Sequence, residues 1–311
     1  MRNVVDALRS ELADLIASHA PTKGDHQTLV PGLFLTRLTD ETACYRATCQ
    51  PSLTLFGQGR KRIELGGVEY LCDNSSFFLS SIYVPIQSQV TEASNAKPLL
   101  TMKLFLDMES VREMLNSGDF LPLKPAKHNR GLAVGESTSG LLSACIRLID
   151  LLDSPQDIPY LNPLIQREIV YRILRTPQAQ SLRAVVTNGD LSNRTAYVMS
   201  WLRANYAKPL RMEELAELAR MGVSTLHHQF RALTSMSPLR YQKQLRLQTA
   251  RERMMMDGVD ANTAAYEVGY ESVSQFSREY SRHFGLPPIR DVKTMRSRGT
   301  ADRVAHSERP M

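Results

Sequence analysis

The spacing of apolar residues changes period twice along this chain, and each change predicts a change of architecture. Val4, Leu8, Leu12 and Leu15 share one side of an opening amphipathic helix over Met1–His19, followed by a polar connector at residues 20–30. From Leu33 to Leu106 the apolar residues come instead in short runs: Leu33–Leu38, Leu53–Phe56, Lys61–Leu65, Val68–Cys72, Phe77–Val84, Ile86–Val90 and Leu99–Leu106. Gly66-Gly67 separates two of these runs by two residues, a hairpin signal that pairs Leu65 with Val68, Ile63 with Tyr70, and Lys61 with Cys72. Leu100, Met102, Leu104 and Leu106 alternate with Thr101, Lys103 and Phe105, as in a strand with one buried face. So many short strands in one stretch predict a small barrel or sandwich.

Helical spacing returns after the strands. A short helix is expected at Ser110–Asn116. A longer one over Glu136–Asp153 carries Leu141, Cys145, Leu148 and Leu152, and another covers Pro163–Arg175. The Leu141–Leu152 stripe fits packing on its own barrel or on its copy in a second subunit. Residues 177–195 read as a helix and linker.

The stretch that follows occurs twice. ARMGVSTLHHQFRALTSMSP at 219–238 and GYESVSQFSREYSRHFGLPP at 269–288 align without a gap at an offset of 50 positions. Val223 then falls on Val273, Ser224 on Ser274, Leu226 on Phe276, Phe230 on Tyr280 and Pro238 on Pro288. Each copy has a short apolar helix, a turn at a small residue, and a second helix with one buried stripe and a polar outer face. That is the helix-turn-helix plan. Gly222 and Ser272 take the N-cap positions, and Ser272 with Gln275 forms a capping box. Between the copies, Pro238–Asp257 has no internal Gly or Pro. A helix of about 18 residues is roughly 27 Å long, approaching the ~34 Å between successive major-groove faces of B-DNA.

Charge agrees with the pattern. The 311 residues carry a net charge of +6, and residues 196–298 hold 16 Lys/Arg against 10 Asp/Glu, so the whole excess lies in the repeated region. No run of 18–20 apolar residues and no signal peptide is present, which predicts a cytoplasmic protein with reduced thiols. Cys44, Cys49, Cys72 and Cys145 match no zinc-site or CxxC spacing, and no histidine lies between His26 and His128. A metal-dependent barrel enzyme is therefore not expected, nor any cofactor.

LAELARMGVSTLHHQF, RLQTARERM and AAYEVGYESVSQFSREYSRHFGLPP resemble the DNA-binding domain of the AraC/XylS transcription regulators. Gly222 departs from the serine usual there. QPSLTLFGQGRKRIELGGVEYLCDNSSFFLSSIYVPIQSQV and PLLTMKLFLDMESVREML are similar to the N-terminal domain of one branch of that family. The resemblance implies a two-domain chain. Residues 1–190 form a cupin-like β-barrel with trailing helices that senses an effector and dimerises. Residues 191–298 form an all-α domain of two helix-turn-helix motifs joined by a long helix, and 299–311 a disordered tail. The implied partners are double-stranded DNA, a small-molecule effector, RNA polymerase and a second copy of the chain, with no membrane.

The buried stripes leave a groove-facing set. In the first copy it is Ser224, Thr225, His227, His228 and Arg231; in the second, Ser274, Gln275, Arg278 and Arg282. Arg278 leads because a guanidinium bonds a guanine edge in bidentate fashion. Its counterpart His228 stands where many relatives carry Arg. Lys208, Arg211, Arg220, Lys243 and Arg290 are the candidate phosphate contacts. Phe56, Ile63, Tyr70, Met102 and Leu104 are expected to line the barrel around a mostly apolar effector. A second reading is thiol-based sensing of oxidants or electrophiles at Cys44, Cys49 and Cys72, near Arg46, Arg60, Lys61 and Arg62.

Overall fold

The computed structural model describes residues 2–118, 120, 130–187 and 189–295. The expected tail at 299–311 lies outside them. Two compact units are present: Met1–Tyr197 with Ser224–Met236, and Val198–Val223 with the residues from Ser237 on.

Among the described residues the first unit has ten strands in two antiparallel sheets. In chain order they are β1 (Gly24–Gln27), β2 (Leu33–Leu38), β3 (Tyr45–Cys49), β4 (Ser52–Gln58), β5 (Arg60–Leu65), β6 (Val68–Cys72), β7 (Ser76–Ser80), β8 (Val84–Glu92), β9 (Leu99–Phe105) and β10 (Leu132–Glu136). One sheet runs β1-β2-β9-β4-β7-β10, the other β3-β8-β5-β6. The β5–β6 hairpin has the register read from sequence, Leu65 to Val68, Ile63 to Tyr70 and Lys61 to Cys72. Gly66 and Gly67 turn with φ +59° and +80°, a backbone that glycine adopts without a Cβ penalty. The expected Phe77–Val84 run is interrupted at residues 81–83: Phe77–Ser80 lie in β7, and Val84 begins β8, which holds the expected Ile86–Val90 run.

Helices cover the six-stranded sheet on one side. α1 (Arg2–His19) lays Leu12 and Ile16, both 0% exposed, on Leu33, Leu35, Leu53, Leu55, Met102 and Leu104. Contact is close enough that a Cβ at Gly57 would sit 2.9 Å from the Ala13 backbone, so β4 needs glycine there. α2 (Met108–Ser117) is capped by Asp107, whose carboxylate accepts from the N–H groups of Glu109 and Ser110. α3 (Ser139–Asp150) buries Leu141, Cys145 and Leu148 in the same core, so this stripe packs within its own unit. α4 (Ile158–Leu174) starts five residues before Pro163, which falls inside the helix, and α5 (Gln180–Val186) closes the layer.

The remaining helices are α6 (Leu191–Ala204), α7 (Met212–Ala219), α8 (Val223–Thr234), α9 (Pro238–Met256), α10 (Ala261–Glu267) and α11 (Val273–Phe284), with a last helical run over 288–295. α9 is capped by Ser237 and has Pro238 at its start, where a missing N–H costs nothing. Leu247, Ala250 and Met254 of α9 pack with Ala264, Ala265, Val268, Phe276, Tyr280 and Val292 into one core.

Candidate nucleic-acid interface and effector cavity

The second helix pair shows how local sequence sets up a reading helix. Asp260 caps α10 through the N–H groups of Asn262 and Thr263. The chain then turns at Gly269, φ +89°, where a Cβ would come within 2.2 Å of the Ala207 carbonyl oxygen. Ser272 Oγ accepts from the Gln275 N–H at 3.3 Å and starts α11. Only this half of the expected capping box forms, because Gln275 Nε2 donates instead to Glu279 Oε1 at 3.2 Å. Phe276 and Tyr280 are fully buried, while Ser274, Gln275, Arg278 and Arg282 are exposed. In the first pair, Leu226, Phe230 and Leu233 are buried; Ser224, Thr225, His228 and Arg231 are exposed, and His227 is half-buried.

Lys208, Arg211, Arg220 and Arg290 are exposed. Lys243 is half-buried and committed, its Nζ donating to Glu279 Oε1 at 2.9 Å. Glu279 also accepts from the Tyr270 hydroxyl at 2.9 Å. Burial works against its charge, but the hydrogen bonds from Lys243, Gln275 and Tyr270 outweigh it and hold the carboxyl below its ordinary pKa.

Sequence reasoning passed over two supports of this helix. Arg246 donates to the carbonyl oxygens of Tyr206 (2.7 Å), Gly269 (2.8 Å), Ala207 (3.1 Å) and Lys208 (3.0 Å), tying the turn before α11 to α9. Asp291 accepts from Arg251 Nε (2.8 Å), Arg251 Nη2 (3.0 Å) and the Tyr280 hydroxyl (2.7 Å). The residues joined in this way lie mostly tens of positions apart in sequence, so no local pattern marks them.

The second candidate site is a cavity of about 430 Å³ between the two sheets. Its wall is the opposite face of the strands that bury their leucines under α1. From the six-stranded sheet come Thr36, Ser52, Thr54, Phe56, Phe78, Thr101, Lys103 and Phe105; Lys61, Ile63, Ile86 and Ser88 come from the other. Of the five residues expected there, Phe56 and Ile63 line the cavity. Met102 and Leu104 point the other way, into the helix-covered core, and Tyr70 packs edge-on against Phe78 at 6.2 Å without lining it. The sheet has two buried faces, and the more apolar one went to the helices. The cavity wall is therefore mixed and not mostly apolar.

Cys49 also lines this cavity. Burial pushes its thiol up to about 11 and that of Cys72 up to about 12. A thiol near 11 is about one ten-thousandth thiolate at pH 7, which makes both poor nucleophiles. Among the described residues no group of three or more His, Cys, Asp or Glu could hold a metal, and no helix is long and apolar enough to cross a membrane.

Comparison with known proteins agrees with both halves of this geometry. Residues 29–181 match the family described as AraC-type transcriptional regulator N-terminus, and 215–293 match the helix-turn-helix domain. The chain belongs to the AraC family of transcription regulators. It is a transcription regulator, with an N-terminal domain of two antiparallel sheets and an all-helical C-terminal domain that carries the helix-turn-helix DNA-binding motifs. The HTH-type transcriptional activators RhaS of Yersinia pestis (strain Pestoides F) and Yersinia pseudotuberculosis (serotype O:1b) are each 26% identical over 200 residues, 63% of this chain and 70% of theirs. Crystal structures of ToxT from Vibrio cholerae share the fold. The form bound to (E)-4-(8-methylnaphthalen-1-yl)but-3-enoic acid has a TM-score of 0.58 at 12% identity, covering 87% of this chain and 98% of ToxT. The form bound to an unsaturated fatty acid has a TM-score of 0.53 at 11% identity, covering 84% and 93%.

Proposed function

We propose that this AraC-family regulator reads an asymmetric DNA site with two recognition helices from one polypeptide, and that occupancy of its inter-sheet cavity controls that reading. In this reading residues 191–298 are the DNA-binding domain. The observation that carries it is the polar outer face that α8 and α11 each present. Buried stripes at Leu226/Phe230 and Phe276/Tyr280 leave Ser224, Thr225, His228 and Arg231, and Ser274, Gln275, Arg278 and Arg282, facing outward on their own helices. Half-buried His227 joins the first set at its edge.

Arg278 offers a charged fork to guanine, whereas His228 at the matching position offers one donor and one acceptor when neutral. The first reader is thus the weaker discriminator. Lys208, Arg211, Arg220 and Arg290 bind phosphates in this scheme; Lys243 does so only by sharing its ammonium with Glu279. The RhaS relatives, named as activators, support activation through RNA polymerase, and ToxT bound to organic acids supports a small-molecule effector. The chain acts in the cytoplasm, as a homodimer where operators are paired, and has no catalytic role.

The test is footprinting of variants on an operator selected from random DNA. Arg278→Ala costs about 1–3 kcal/mol and relaxes preference at one or two positions of one half-element; His228→Ala costs less. Uniform weakening by Arg278→Ala across all sequences would refute base reading by α11.

A further inference from the structure

Cavity walls report the chemistry of what they hold, and this one contains two cations and an unanswered hydroxyl. Lys61 stands on β5 of the four-stranded sheet and Lys103 on β9 of the six-stranded sheet, so the two approach the cavity from opposite walls. Both line the same cavity as half-buried Cys49, whose thiol feels their positive charge. Among the described residues neither lysine has a carboxylate within ion-pair distance, although Lys61 lies 5.8 Å from the Tyr45 ring centroid. Among the described lining residues the carboxylate is Asp25, which is exposed and accepts from the Thr36 hydroxyl at 2.6 Å. Ser88 is 1% exposed, lines the same cavity, and its Oγ has no hydrogen-bond partner.

Each feature has a cost that one ligand removes. Two like charges facing across a half-buried space repel in a medium less polar than water. A buried hydroxyl without a partner forgoes its hydrogen bond. A carboxylate or phosphate between the lysines accepts from both ammonium groups and from the Ser88 hydroxyl. Charge-assisted bonds of this kind are the strong ones. Phe56, Phe78, Phe105, Ile63 and Ile86 then meet the body of the molecule.

We propose that the inter-sheet cavity binds a small organic anion, its acid group held between Lys61 and Lys103 with Ser88 donating a third hydrogen bond. This rests on the reading of the cavity as the effector site and names the class of effector.

Titration calorimetry on the full chain tests it with matched pairs: hexanoate against hexanol, 4-phenylbutanoate against 4-phenylbutan-1-ol, and gluconate against sorbitol. Phenyl phosphate added to the series separates phosphate from carboxylate recognition. At least one acid binds saturably and ten-fold or more tighter than its neutral counterpart. Lys61→Met and Lys103→Met each lower that acid's affinity about ten-fold while leaving the neutral compound unchanged, which also shows that the variants are folded. Ser88→Ala lowers it several-fold. Equal binding of acid and neutral partner, an acid preference surviving in the double lysine variant, or no saturable binding by any of the four acids overturns the proposal. The same acid is then added to an operator-binding assay. An acid that binds through the lysines without altering DNA binding or transcription leaves the anion site standing and refutes control by the cavity.

Discussion

Asp291 accepts three hydrogen bonds in a position 4% exposed, and its replacement by asparagine measures how firmly α11 is held. The asparagine in Asp291→Asn is neutral and has one acceptor oxygen facing three donors, so at least one donor is stranded. Arg251 would keep its charge without a counter-ion. Breaking a buried ion pair by removing one partner costs about 3–5 kcal/mol. Arg251 remains 18% exposed and stacks over the Phe284 ring at 4.4 Å, so water and the ring recover part of that. We expect about 2–3 kcal/mol, a fall in melting temperature of roughly 10–20 °C for a unit of this size. Tyr280→Phe removes one bond to the same carboxylate and costs about 1.5 kcal/mol. The double variant loses less than the sum, because the hydroxyl's partner is already gone. Urea unfolding followed by fluorescence reads the correct unit, since the chain's single tryptophan, Trp201, lies in the same unit as Arg251, Tyr280 and Asp291. Stability of Asp291→Asn within about 0.5 kcal/mol of the parent, or strict additivity with Tyr280→Phe, refutes the argument.

Three further outcomes are expected. Leu104→Ala, on the helix-covered face, costs about 2–5 kcal/mol, whereas Thr101→Ala on the cavity face of the same strand leaves the melting temperature nearly unchanged and alters ligand affinity instead. Thermal melts with and without ligand separate the two. Glu279 has its pKa lowered on folding, so its contribution is present above the unfolded carboxylate value, about 4.3, and is lost as pH falls through the folded one. Unfolding midpoints of Glu279→Gln therefore show a shallower acid limb than the parent. Iodoacetamide at pH 7 labels exposed Cys44 first, and Cys49 and Cys72 gain reactivity only as pH nears 11–12. Rapid labelling of Cys49 at neutral pH would revive the thiol-sensing reading.

Features carried by neighbours in sequence were legible from the residues alone. The 50-residue repeat marks both helix pairs, and its buried stripes at Leu226/Phe230 and Phe276/Tyr280 are the ones observed. Pro238 marks the start of α9, and Gly66-Gly67 determines the register of β5 on β6. Each is decided within a few residues by caps, turn conformations and helical or strand period. Three strands carry no such mark. β1, GDHQ, lacks apolar residues; β3, YRATC, is mostly polar; and β10, LAVGE, is five residues long and abuts a helix. Their strand character comes from pairing with β2, β8 and β7.

Only tertiary structure decided what each face meets. Alternation along β9 shows two faces but not which of them a helix covers, and the leucines went to α1 and α3 while Thr101 and Lys103 took the cavity. The same holds for charge. Lys243 is a surface cation by sequence, yet Glu279, 36 residues on, occupies its ammonium. Arg246 is one arginine among many until the carbonyl oxygens of residues 206–208 and Gly269 converge on it. Period and propensity assign a side chain to a direction. What lies in that direction depends on chain segments far away in sequence, and their approach is set by how the whole core packs.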